Sequence, residues 1–391
     1  MAQETDIVVV GGGPSGMIAA LAAARSGYRT VLVAPPLSRP DHRTTALLGS
    51  SVAFLKALDV WDRLQPKAAA LRTMRLIDGT NRLIRAPETA FEASEMDLEA
   101  FGYNIENTEL NAVLAEAIDG EERIARVESA AKDIAVSPDR CSITTDDGTT
   151  IDCRLVIGAD GRNSPVRQAA GIDVKRWTYD QVALVLNVRH TAPHEDTSTE
   201  LHTETGPFTL VPLGPLRSSI VCVERPKVVD AMMALSDQEL ARDLGERSHF
   251  LLGKLSIDGP RQAFPLSGLS AARMVGDRVA LVGEAAHAFP PIGAQGLNLG
   301  IRDVADLSRV LEKSARQGED PGSEGTLARY ARARRVDVAS RTMGVDLLNR
   351  SLLTDFLPVQ MARSIGLEVA RSIKPLRRLL MREGLAPGYR A

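Results

Sequence analysis

The chain has 391 residues, 44% of them hydrophobic and 25% charged, with a formal net charge of -3. Its length suggests about two domains with ample core, and its charge balance argues against a nucleic-acid protein, which carries a basic excess or a basic face. No apolar run approaches the ~18 residues of a spanning helix, and Cys141, Cys153 and Cys222 form no CxxC, which argues against a disulfide scaffold, a zinc site and a redox-active pair.

The N-terminal MAQETDIVVVGGG is acidic and runs straight into a glycine turn, so it reads as neither a signal nor a transit peptide, and a cytoplasmic, reduced protein is expected. Asp6 to Val10 is a buried-strand pattern. Gly11, Gly13 and Gly16 then spell GxGxxG around Pro14 and Ser15, opening an Ala-rich helix from Met17 to Arg25 that leads to a second strand, Thr30 to Val33. A strand before and a helix after are what the dinucleotide fingerprint requires: Gly11 for the tight turn, Gly13 for close approach of a pyrophosphate, Gly16 for helix packing. The acidic ribose ligand expected after the second strand is replaced by Ala34, Pro35 and Pro36, leaving Asp41 or Arg43 as candidate substitutes. A helix is expected from Ser50 to Leu58, and a hairpin from Leu71 to Ile84 turning at Asp78-Gly79. Glu109 to Ala117 reads as a helix, with Asn107 either its N-cap or a ligand contact.

Hairpins follow from Ile134 to Ile151, turning at Pro138-Asp139 and Asp147-Gly148. In Leu155 to Arg167 a parallel strand ends at Asp160 and a helix starts at Ser164-Pro165. Val182 to Arg189, Glu200 to Thr203, Phe208 to Leu213 and Ser218 to Glu224 read as an antiparallel sheet, followed by a helical interval, Ser236 to Leu252, and a return along Gln262 to Leu266. His194, His202 and His249 are widely spaced and read as surface or core residues, not metal ligands. Val279 to Val282 is a buried strand ended by Gly283 and Glu284. Leu297, Ile301, Val304, Leu307 and Leu311 then recur at helical spacing, so the unpaired N–H groups of Ala294 to Asn298 face a Gly- and Pro-rich loop. A carboxylate, a glycine turn and a helix N-terminus together suit a cofactor with hydroxyls and an electron-rich ring edge, as flavin has. Thr326 to Ala391 is helical in pattern, with Arg371, Lys374, Arg377, Arg378 and Arg382 basic near its end.

The stretch GEAAHAFPPIGAQGLN closely resembles the second flavin motif of the single-component, FAD-dependent aromatic hydroxylases, GDAAH followed by PxxGxGxN, and GAQGLNLGIRD is most similar to the ubiquinone-biosynthesis hydroxylases. The resemblance implies an α/β fold: an FAD-binding Rossmann-like domain of the para-hydroxybenzoate hydroxylase type, a second, mostly antiparallel β-sheet substrate domain, and a helical C-terminal region. The expected boundaries are 1–70, 101–177 and 267–345 for the first, 71–100 and 178–266 for the second, and 346–391 for the third. It further implies that Gly11, Gly13, Pro14, Ser15 and Gly16 hold the nucleotide, that Arg43 reaches the flavin, and that Asn107 contacts the cofactor. Asp160 and Gly161 match the DG motif, which serves FAD and the transient approach of the nicotinamide, with Arg162, Ser164 and Arg167 around it. Gly283 and Glu284, the latter where the family usually has Asp, meet the ribityl hydroxyls. Pro290, Pro291 and Gly293 lie beside the isoalloxazine, and Gly296, Leu297 and Asn298 stabilise charge at its N1 to C2 edge.

By the same resemblance NAD(P)H is the co-substrate and O2 supplies the oxygen placed on the ring of a prenylated phenol, with no metal and no assigned catalytic side chain. His287 is either a base or a structural residue. A single fingerprint and no Cys pair disfavour oxidoreductases with two dinucleotide domains. The alternatives are an FAD-dependent prenyl reductase and a flavin-binding subunit of a quinone-biosynthesis assembly without turnover. Ile365, Val369, Ile373, Leu376 and Leu380 share a helical face despite Pro375, so the basic tail either rests on the inner face of the membrane or packs on the protein's own core.

Overall fold

The structure, a computed structural model, describes residues 3–36, 41–80, 87–290, 295–335, 377–378 and 381. Pro291, Gly293 and the apolar tail face from Ile365 to Leu380 lie outside the described residues.

Three sheets organise the chain. The first runs in the order β18 (Val275–Gly276), β19 (Val279–Leu281), β11 (Thr150–Gly158), β1 (Gln3–Val10), β2 (Thr30–Val33) and β8 (Ile124–Val127), with β10 (Cys141–Thr145) and β9 (Ala131–Val136) continuing from β11. The five strands from β19 to β8 are parallel. β1 sits inside this sheet because its side chains have apolar partners on both faces. Ile7 and Val9 enter one core with the alanines of α1 (Pro14–Arg25), while Val8 and Val10 enter another. Full burial of each such side chain contributes roughly 1.5–3 kcal/mol. α8 (Gln295–Gln317) and α4 (Asn107–Asp119) pack on α1, with Ile301, Val304, Leu307 and Leu311 of α8 buried at the spacing read from the sequence.

The second sheet is β20 (His287–Ala288), β17 (Gln262–Ala271), β12 (Val174–His190), β15 (Arg217–Glu224), β14 (Pro207–Gly214), β13 (Thr197–His202), β5 (Thr73–Asp78) and β6 (Thr89–Glu92), with β16 (Leu255–Ile257) on β12. Its pairings are antiparallel except β13 with β5, which run parallel. Leu184, Leu186, Ile220 and Cys222 point from one face to α6 (Pro226–Ala234) and α7 (Asp237–Arg247). A small third sheet, β3 (Thr44–Leu48), β7 (Gly102–Glu106) and β4 (Ala69–Leu71), bridges the two. α2 (Gly49–Ala57) and α3 (Trp61–Leu64) follow β3, and α5 (Pro165–Ala169) follows β11.

Several sequence expectations change in detail. β5 pairs antiparallel with β6, and residues 81–84 of the expected hairpin lie outside the described residues. The helix expected to reach Leu252 ends at Arg247, because His249 and Phe250 take left-handed backbone conformations that turn the chain toward β16. α6 was not anticipated, although Pro226 at its first turn and Val229 and Met232 three residues apart are its signature. Strand β11 ends at Gly158, two residues before Asp160.

Candidate cofactor and active site

The loops after β1, β11 and β19 emerge side by side at the carboxyl edge of the parallel sheet, where open α/β sheets hold ligands. Ala159 N–H donates to the Val10 carbonyl at 2.8 Å and Val282 N–H to the Gly158 carbonyl at 2.9 Å, which locks the three together. Gly11, at φ +122°, lies so close to Ala159 that any β-carbon would overlap its carbonyl, and a β-carbon on Gly16 would overlap the Gly11 carbonyl. Gly283, at φ +59°, packs on the Ser15 hydroxyl, and so does Gly300, which sequence reasoning passed over. Gly13, Gly161 and Gly296 differ: a β-carbon on any of them meets nothing within 4 Å. One group of glycines seals the loops, and the other faces open space.

That space fits a dinucleotide. Pro14 opens α1 behind Gly13 without a side-chain cap, leaving first-turn N–H groups for an anion. Gly296 and Leu297 stand in the same position on α8. Asp160 accepts from Val166 N–H at 2.9 Å through Oδ2, while its buried Oδ1 has no hydrogen-bond partner. Burial lifts the Asp160 carboxyl above its ordinary range, and Ser164 and the Val166 N–H only partly offset it. An orphaned buried acceptor is costly unless something donates to it. Glu284 is exposed and pairs with Arg162 at 3.5 Å; Arg162 also donates to Ser267 of β17 at 2.5 Å.

Arg43 and Asn107 form a second cluster. Arg43 makes a two-point pair with Asp41, 2.8 and 2.7 Å, and lies over the Phe264 ring, 5.1 Å from its centroid. The bond to Asp41 raises the Arg43 pKa against the opposing effect of burial, and the charge of Glu284 adds to the rise. Burial raises the Asp41 carboxyl, but bonds from Arg43 and Asn107 outweigh it and hold it below the usual range. Asp41 is therefore committed to Arg43 and Asn107. Asn107 is not an N-cap, since Glu106 holds that position; its side chain donates to Asp41 at 2.9 Å and accepts from Thr45 at 2.7 Å.

The Asn298 side chain is turned away from the open space. It accepts from Leu48 N–H at 2.8 Å and Ser51 at 2.7 Å and donates to the Ala46 carbonyl at 2.7 Å, leaving the backbone as its contribution to the helix terminus. His287 is structural: it is 2% exposed, bonded to Asp303 at 2.6 Å and stacked on Phe289. Asp303 also accepts from Gly283 N–H at 2.9 Å and Arg334 at 2.7 Å, so this fully buried carboxylate fixes the β19 turn. Neither Asp303 nor Arg334 was singled out in the sequence, although Asp303 ends the GIRD run. Among the described residues no group of three His, Cys, Asp or Glu could hold a metal, and no helix is long and apolar enough to cross a membrane.

Fold and site together define a flavin-dependent oxidoreductase of the aromatic-hydroxylase class, and a family profile described as FAD binding domain matches residues 4–344. The chain is 34% identical over 388 residues to the ubiquinone hydroxylase UbiL of Rhodospirillum rubrum, covering 97% of this chain and 89% of that one. It is 32% identical to the 3-demethoxyubiquinol 3-hydroxylase of Escherichia coli, covering 98% and 99%. The p-nitrophenol 4-monooxygenase PnpA of Pseudomonas putida DLL-E4 shares the fold, with a TM-score of 0.80, 22% identity and full coverage of both chains. The chain belongs to the FAD-dependent monooxygenase family that contains the ubiquinone hydroxylases.

Proposed function

We propose that this monooxygenase hydroxylates the ring of a polyprenylated phenol on the route to ubiquinone, using NAD(P)H and O2. The relatives named above act as ubiquinone-pathway hydroxylases, and this supports the substrate class. The observation that carries the assignment of the site is the split among the glycines. Gly11, Gly16 and Gly283 close the three loops, whereas a β-carbon on Gly13, Gly161 or Gly296 would meet nothing within 4 Å, and Gly13 and Gly296 stand at the N-terminal ends of α1 and α8.

FAD, when bound, supplies the redox chemistry that takes a hydride from the nicotinamide and activates O2. The residues of this chain bind and orient. Gly13, Ser15 and Gly16 receive the pyrophosphate on α1, with Pro14 fixing the first turn. Glu284, held by Arg162, offers its carboxylate to the ribityl hydroxyls in place of the family's Asp. Asp160 and Gly161 stand at the DG turn with one carboxylate oxygen free to accept a bond. The N–H groups of Gly296, Leu297 and Asn298 stabilise negative charge at the ring edge. Arg43, its charge balanced by Asp41 and its face covered by Phe264, would border the ring, and Asn107 is tied to the same Asp41. His287 moves no proton to substrate because Asp303 occupies its Nε2 and the ring is buried.

The test is to delete the gene in its host and weigh the quinone precursor that accumulates. An intermediate short of one ring oxygen is expected. A precursor with an unreduced prenyl chain indicates a reductase instead, and normal quinone levels sink both.

A further inference from the structure

The cofactor loop leaves β19 at its carboxyl end, whereas Arg278 enters the strand at its amino end, so the surroundings of Arg278 belong to the opposite edge of the parallel sheet. At that edge a cavity of about 610 Å³ lies between β18, the turn at Pro138 and the helical residues 324–335. Its size falls in the range of small-molecule sites, roughly 300–1,000 Å³. Nothing in the hydroxylase chemistry uses it.

The walls are fixed from behind. Leu327, Tyr330 and Arg334 share the buried side of helix 324–335, at spacings of three and four residues. Tyr330 donates its hydroxyl to the Leu281 carbonyl at 2.8 Å, and Arg334 pairs with Asp303 at 2.7 Å and Asp306 at 2.8 Å. Ala331, Arg332 and Arg335 line the cavity from the same helix. Across from them Arg278 donates to the Pro138 carbonyl at 2.6 Å and the Arg154 carbonyl at 2.9 Å, and pairs with Asp320 at 2.7 Å. Gly322 lies so close to the Arg154 carbonyl that a β-carbon would overlap it, which seats the loop before the helix on β11. Walls held in this way present their side chains at set separations, and that lowers the ordering cost of binding.

The charge in the cavity is not used up. Arg278 is balanced by Asp320, but Arg273, Arg332 and Arg335 have no carboxylate partner among the described residues. Arg273 makes one long contact, to the Gly171 carbonyl at 3.4 Å. Asp277 and Glu324 also border the cavity and leave the guanidiniums in excess. A guanidinium donates through a planar fork that matches phosphate oxygens, and several of them together suit a group with three acceptor oxygens. Val275, Leu327 and Ala331 add an apolar floor. Charge and floor together favour a phosphate with an organic body over a bare ion.

We propose that this cavity binds a soluble organic phosphate, held by Arg273, Arg332 and Arg335 and separate from the flavin and phenol sites. Calorimetric titration of the FAD-loaded protein with phenyl phosphate, at roughly physiological ionic strength, tests it. A dissociation constant below about 1 mM is expected, with benzoate, which carries a single charge, about 10-fold weaker. Arg332→Gln and Arg335→Gln each weaken phenyl phosphate binding by about 10-fold, the loss of one charge-assisted contact, while FAD content and melting temperature hold. Glu324→Gln tightens it, a change of opposite sign that misfolding does not produce. Arg378→Gln, at an exposed arginine outside the cavity, leaves it unchanged. A parent protein that does not bind phenyl phosphate overturns the site, and so does a loss in Arg378→Gln as large as that in Arg332→Gln. Vesicles containing phosphatidylglycerol form a second arm. Parent and Arg332→Gln are expected to bind them equally; a loss in the variant larger than its loss of phenyl phosphate overturns the soluble ligand in favour of a lipid headgroup.

Discussion

Gly13 and Gly16 are three residues apart in one motif, yet their substitution has different consequences. A β-carbon on Gly16 overlaps the Gly11 carbonyl, whereas one on Gly13 has nothing within 4 Å. Gly13→Val is therefore expected to fold with a melting temperature within a few degrees of the parent and to lose FAD. Gly16→Val is expected to fail in folding outright. Flavin absorbance and thermal unfolding on the two variants check this, and a Gly13→Val protein that retains stoichiometric flavin refutes it. Asp160 permits a pH argument. Burial raises its folded pKa above the ordinary 3.8, so its favourable contribution is present below that value and is lost as pH rises through the folded pKa. In FAD-stripped protein at pH 7, Asp160→Asn should stabilise by about 1 kcal/mol, because it neutralises a buried carboxyl whose Oδ1 has no donor while an amide oxygen can keep the Val166 N–H bond. The gain should vanish near pH 4, and the variant should take up FAD more weakly. Chemical denaturation at the two pH values decides; a destabilised variant at pH 7 contradicts the argument.

At the scale of elements, the three glycine loops and most strands were legible because their signals are local: β-branched runs bounded by Gly, Pro and Asp-Gly turns. What was not legible depends on distant partners. The parallel pairing of β13 with β5 joins segments more than a hundred residues apart, and no periodicity announces it. The role of Asn298 was half legible: its place at a helix terminus follows from spacing, but its side-chain bonds to Ala46, Leu48 and Ser51 arise only when β3 folds against α8. Asp303 was hidden for the same reason, since Arg334 and Gly283 reach it from separate elements. Removing one member of a fully buried ion pair leaves the other uncompensated, at about 3–5 kcal/mol. Asp303→Ala and Arg334→Ala should each lower stability by that order, and the double substitution should cost less than their sum. A double-mutant cycle by urea unfolding measures the coupling, and strict additivity would rule out the network as the fastener of the β19 turn.

At the scale of the whole molecule, the basic tail residues divide. Arg377 makes a two-point pair with Glu95, both contacts at 2.6 Å, and lies over the Phe91 ring at 4.5 Å. Met381, 1% exposed, joins the cluster of Phe91, Ala93 and Phe101 beside the edge strand β6. The bond from Arg377 depresses the Glu95 carboxyl, so the contribution of the pair is present above the ordinary 4.5 and is lost as pH falls through the folded value. Arg377 is thus spent on the protein itself, while Arg378 is exposed. This turns the expectation of membrane contact into a comparison between adjacent arginines. An exposed basic residue near an anionic surface contributes about 1 kcal/mol, roughly 5-fold in partitioning. On anionic vesicles at low salt, Arg378→Ala should weaken binding of the FAD-loaded protein by about that factor if the tail docks there. Arg377→Ala should leave vesicle binding nearly unchanged and instead raise hydrogen exchange across residues 89–96. Equal loss of vesicle binding in the two variants would mean that the Glu95 pair opens at the membrane; no loss in either would assign the tail to the protein's own surface.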